Sequence, residues 1–94
     1  MELSEKCIAT FEKEGFPFIY EWTDVPNTVY PEHEHQDKVS LFVTDGSIIV
    51  DIDGESTLLT LGKRYNVPPH TKHSAVVGPE GCNFVVAEMI DGDS

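Results

Sequence analysis

A period of two constrains this chain more than any other feature. From Phe16 onward, apolar and polar side chains alternate in short runs, and Gly, Pro, Asp and Asn separate the runs. Phe16, Phe18, Tyr20 and Trp22 alternate with Pro17, Ile19 and Glu21. Val39, Leu41 and Val43 alternate with Lys38, Ser40 and Thr44. Ile48, Val50 and Ile52 share one face of the next run. Successive side chains of a strand leave opposite faces, so each run reads as a half-buried strand.

Turn chemistry divides these runs. Asp24-Val25-Pro26-Asn27 forms a turn cluster, and Thr28 to His35 is extended. Asp45-Gly46 and Asp53-Gly54 are hairpin signals, and Gly78-Pro79-Glu80-Gly81 reads as another turn. Thr57 to Leu61 ends at Gly62-Lys63, and Arg64 to Val67 stops at Pro68-Pro69. His73 to Val77 and Asn83 to Met89 complete about eight short strands. Regular short strands with turns between them predict an all-β, antiparallel sandwich or barrel. Before Phe16 the period differs. Leu3, Cys7, Ile8 and Phe11 recur at helical spacing over residues 2–14, with Ser4 as N-cap and Gly15 and Pro17 as the stop. This predicts a short helix flanking the barrel.

A chain of 94 residues sets one domain as the expectation. Residues 1–15 would be the flanking helix, 16–90 the barrel and 91–94 an acidic, frayed tail. A chain this short buries only roughly 60–65% of its surface, so pairing with a second copy would help it. A homodimer is therefore expected, with the aromatic first strand in the contact. Seventeen acidic residues face six basic ones, for a net charge of −11. That balance argues against nucleic acid and anionic membranes as partners, and it keeps a protein soluble. No apolar run suits a bilayer span, and the N-terminus lacks the order of a signal peptide. Cys7 and Cys82 carry no pairing motif. Free thiols in a cytoplasmic protein are the simplest account.

All four histidines fall in two short segments, Pro31-Glu-His-Glu-His35 and His70-Thr-Lys-His73. His33 and His35 stand two apart on an extended run, so their rings leave one face. If the run is in phase with Val39, Leu41 and Val43, that face is the interior. Two imidazoles so placed can converge on one ion, although a surface pair gives the same spacing.

With these residues in view, the sequence resembles the cupins. Their first motif runs Gly, five residues, His-x-His, three or four residues, Glu, six residues, Gly; here these positions hold Asn27, His33, His35, Val39 and Gly46. Their second motif runs Gly, five residues, Pro-x-Gly, two residues, His, three residues, Asn; here they hold Gly62, Pro68, His70, His73 and Val77. The resemblance covers about residues 16–90, with a segment of 15 residues, Ser47 to Leu61, between the motifs. It implies a double-stranded β-helix, the jelly-roll barrel of the cupins. It also implies that His33, His35 and His73 ligate one divalent transition metal: Zn, Fe, Ni, Mn or Cu. Val39 occupies the usual glutamate position, so the resemblance transfers three ligands and withholds the fourth. His70 is a candidate fourth ligand, or an exposed turn residue.

Other residues have two readings each. Tyr20, Trp22, Phe42 and Phe84 line a ligand pocket or fill core and dimer contacts. Glu88, in an otherwise apolar strand, is an acid–base or histidine-orienting group, or it faces water. For the whole chain, one reading is a metal-dependent enzyme, dioxygenase- or isomerase-like, acting on a small organic molecule. The other is a non-catalytic module that binds a metal or small ligand. No acid–base pair stands out beside the histidines.

Overall fold

The computed structural model describes residues 3–89. One helix, α1 (Leu3–Lys13), precedes six strands: β1 (Phe18–Asp24), β2 (Val29–His33), β3 (Val39–Ile52), β4 (Glu55–Thr60), β5 (Arg64–Val67) and β6 (His73–Glu88). The expected helix and the all-β, antiparallel architecture are both present. The acidic tail lies outside the described residues.

The strand count differs from the sequence reading, and the reason is local. Asp45-Gly46 and the segment 78–81 turn no corner. Each lies inside a long strand, β3 or β6, and the two strands pair with each other along most of their length, from Val39↔Glu88 to Ile52↔His73. The register shifts between Val43 and Asp45 and again between Gly46 and Ile48. A positive-φ glycine opposite an extra residue makes a bulge that bends a strand without reversing it. Gly46 has φ +76°, and a Cβ there would collide with the carbonyl oxygen of Gly81. Only glycine permits the two strands to cross so closely. Asp53-Gly54 is the true hairpin. Both residues have positive φ, 54° and 80°, and they join Ile52 to Glu55 in a two-residue loop.

Because β3 and β6 bend at their bulges, each serves two layers. Their halves nearest Val39 and Glu88 pair outward with β5 and β1; the other halves pair with β4 and β2. Two four-stranded layers result. Between them sits the main core, with Val43, Ile48, Val50, Leu59, Val77 and Phe84 among its members.

A second cluster covers the outside of the β1 layer. Cys7 and Phe11 of α1 pack with Phe16, Val85 and Ala87. Arg64 clamps the helix from below: its guanidinium meets Glu14 at 2.7 Å through each terminal nitrogen and stacks over the Phe11 ring at 4.7 Å. Burial pushes both thiols up to about 11, and both are free. The outside of the β2 layer has no such cover among the described residues. Val29, Val76, Ile49 and Leu58 are adjacent across four strands, and all are exposed.

Candidate metal centre

His33 ends β2, His73 begins β6, and the two are cross-strand partners. His35 follows β2 in the loop. The β2–β6 ladder and this loop bring three rings together. Their centroids lie 4.3 Å apart for His33–His73, 4.9 Å for His33–His35 and 5.1 Å for His35–His73. One ring nitrogen of each lies within 4.8 Å of the others. These are the three residues named from the sequence.

Two of the rings are oriented by their own chain. His33 Nδ1 meets the Pro31 carbonyl at 2.7 Å, and His73 Nδ1 meets the Thr71 carbonyl at 3.0 Å. A carbonyl only accepts, so each Nδ1 carries a proton, and in the neutral ring the lone pair is on Nε2. A metal-binding imidazole needs that tautomer, and such a bond fixes it. Burial, then the neighbouring His33 and His73 rings, hold the pKa of His35 below the ordinary imidazole value. That keeps its lone pair available as well. The donor set therefore fits a divalent transition metal.

His70 stands apart. It is exposed, with φ 57°, and it is not among the grouped histidines. Its backbone N–H donates to the His35 carbonyl at 2.8 Å, which ties the two histidine segments together. Glu32 and Glu34, alternating with the ligand histidines, are exposed as parity requires.

The three rings line one end of a cleft of about 280 Å³ between the layers. Val39 lies on its wall with Leu41, Val86 and Phe84. Tyr20 and Trp22, 41% and 50% exposed, line it from β1; Phe42 faces the helix instead. Glu88 also lines the cleft. It continues the inward row Phe84, Val86, Glu88 and is the cross-strand partner of Val39. Tyr20 donates its hydroxyl to Glu88 Oε2 at 2.6 Å. Burial, then that carboxylate, raises the Tyr20 pKa, so the phenol stays a donor.

Asp24 orients the rest of the β1 wall. It accepts from Trp22 Nε1 at 3.0 Å and from the Tyr30 hydroxyl, and burial helps push the Tyr30 pKa up to about 12. Sequence reasoning missed the Tyr20–Glu88 pair and the role of Asp24. The parity of Glu88 with Phe84 and Val86 carried the signal for the first.

Comparison with solved structures gives the fold. An RmlC-like cupin from Shewanella frigidimarina NCIMB 400 is 26% identical, with a TM-score of 0.69, over 81% of this chain and 68% of that one. The chain has the cupin fold. A cupin superfamily protein from Desulfitobacterium hafniense DCB-2 agrees with a TM-score of 0.71 at 18% identity, over 78% of this chain and 66% of that one. KdgF from a Halomonas species is 22% identical with a TM-score of 0.63, over 82% of this chain and 84% of that one. The chain thus spans about two thirds of the first two cupins. No protein-family model and no curated protein matches the sequence.

Proposed function

We propose that this cupin binds one divalent transition-metal ion through His33, His35 and His73 and uses it as an enzyme on a small organic molecule. The observation that carries the metal reading is the pair of backbone bonds fixing the His33 and His73 tautomers beside a third ring. A metal held by three imidazoles keeps open positions and supplies Lewis acidity, or oxygen chemistry if it is redox-active.

The cleft favours the enzymatic reading over a purely binding module. A closed floor above the metal would leave no place for a reactant, whereas here the rings face a cleft with room for one. The residues around it have separate tasks. Val39, Leu41 and Val86 give the cleft an apolar wall. Tyr20 and Trp22 form a wall that carboxylates hold in place. Glu88 accepts a hydrogen bond from Tyr20 at the edge of the same cleft.

We also infer a homodimer. The bare apolar row Val29, Val76, Ile49 and Leu58 is the surface a second copy would cover, whereas Tyr20 and Trp22 of β1 are committed to the cleft. Light scattering at micromolar concentration should give twice the chain mass, and a monomer mass overturns the dimer. For the metal, elemental analysis of protein purified without an affinity tag should find close to one transition-metal ion per chain. Protein that neither carries nor takes up such an ion overturns the reading.

A further inference from the structure

We propose that the cleft accepts a compact, largely apolar chelator carrying at most one negative charge, and that Glu88 sets this limit by repelling more highly charged anions. The proposal rests on the metal reading and deepens it to a ligand class.

Three observations carry it. First, no lysine or arginine is found among the described residues lining the cleft, and Glu88 is the one carboxylate there. An anion inside would meet only the metal as positive charge. A phosphate or polycarboxylate would keep excess charge in a site that supplies no counter-ion, and such burial is costly. Second, Glu88 sits directly across the β3–β6 ladder from Val39, on the same face as the histidine cluster's apolar wall. Cross-strand partners on one face lie about 5 Å apart at Cβ, so the carboxylate stands beside the inner end of the cleft. The Tyr20 hydroxyl at 2.6 Å holds it there and occupies one oxygen, which leaves the other to accept from a ligand hydroxyl or amine. Third, the cleft is small and aromatic. Its volume of about 280 Å³ falls at the lower edge of ligand pockets, and Tyr20, Trp22 and Tyr30 line it with aromatic surface.

The test compares two bidentate oxygen chelators on cobalt(II)-loaded wild-type protein: tropolone, a monoanionic planar ring, and malonate, a small dianion. The visible cobalt spectrum reports oxygen donors joining the imidazoles. The preference for tropolone over malonate should exceed the preference of free cobalt(II) by at least about tenfold, the excess expected of one like-charge repulsion in a partly desolvated site. Glu88→Gln, which keeps the size and the acceptor for Tyr20, should narrow that preference by raising malonate affinity. A preference in wild type no greater than that of free cobalt(II), or tropolone that only strips the cobalt, overturns the ligand class. A preference unchanged in Glu88→Gln overturns the role of Glu88. Failure of cobalt to bind at all is a different result: it sinks the metal reading itself. The wild-type comparison needs no variant, so a Glu88→Gln chain that misfolds leaves the ligand class testable.

Discussion

The two sides of the cleft are held in place by opposite means. At the histidine end, His33 and His73 are oriented by carbonyls two residues away in their own chain. On the β1 wall, Tyr20 is oriented by Glu88, 68 positions along the chain. The first arrangement is local and forms wherever the backbone runs extended through Pro31–His33 and Thr71–His73. The second exists only after β1 and β6 have paired. The difference teaches what each side takes from the fold: the ring orientations at the metal end are set locally once the β2–β6 ladder has brought the rings together, whereas Tyr20 is oriented by a side chain on a distant strand.

The sharpest way to break the comparison is to remove a ring. His73→Ala should lower zinc affinity by about 100-fold or more, since loss of even a ligand-orienting partner costs 10–100-fold. His70→Ala should cost far less, because its contact with the cluster is a backbone N–H that alanine retains. Isothermal titration with zinc measures both. Equal losses would make His70 a ligand and the separation drawn here wrong.

Val39→Glu strikes where the two sides meet. With metal bound, the new carboxylate should tighten binding, because it adds charge complementarity to the cation. Without metal it becomes an unpaired charge at a buried position, directly across from Glu88. Like charges opposite each other on a sheet repel, and burial adds to that, so the metal-free protein should lose about 2–4 kcal/mol. Thermal melts with metal and with chelator separate the two effects. A variant equally stable in both conditions would mean that neither the metal nor Glu88 faces position 39.

The same contrast explains what the sequence made legible. The alternation through Val39, Leu41 and Val43 was enough for the barrel, and the spacing of His33 and His35 for their shared face, because period is local; His73 joined them only through the resemblance to the cupins. Asp45-Gly46 misled, since a positive-φ glycine serves a hairpin and a bulge equally well; only the cross-strand approach of Gly81 decides between them. Asp53-Gly54 carries the same two letters and does turn the chain, joining β3 to β4. The Tyr20–Glu88 bond was out of reach because register between distant strands sets it. Phe16 and Phe42 looked like members of one aromatic set with Tyr20 and Trp22, yet they pack against the helix, on the other side of their layer.

A smaller effect tests the long-range side alone. Tyr20→Phe removes the donor to Glu88 but keeps the ring. Tyr20 is 41% exposed, so the cost should be about 1 kcal/mol or less, a fall in Tm of about 4–8 °C at most. Zinc affinity should stay within about twofold, since neither ring-orienting carbonyl is touched. A large loss of zinc affinity would show that the β1 wall supports the histidine end after all.

The smallest effect concerns protons at the histidine end. His35 has a folded-state pKa below its ordinary value of about 6.5, through burial first and then through His33 and His73. The unfolded chain therefore binds a proton at this residue more readily than the folded one. By linkage, metal-free protein keeps this contribution above pH about 6.5 and loses it as pH falls from there through the folded pKa. The acidic surface works in the opposite sense, because protonating carboxylates on a chain of net charge −11 relieves repulsion. A raw stability–pH curve mixes the two. The difference between wild type and His35→Gln, both with chelator, isolates the histidine: wild type should lose more stability than the variant between pH 7 and pH 5. Parallel curves would mean that His35 is as solvated in the fold as in the unfolded chain. The crowding of three imidazoles would then place no load on the metal-free protein.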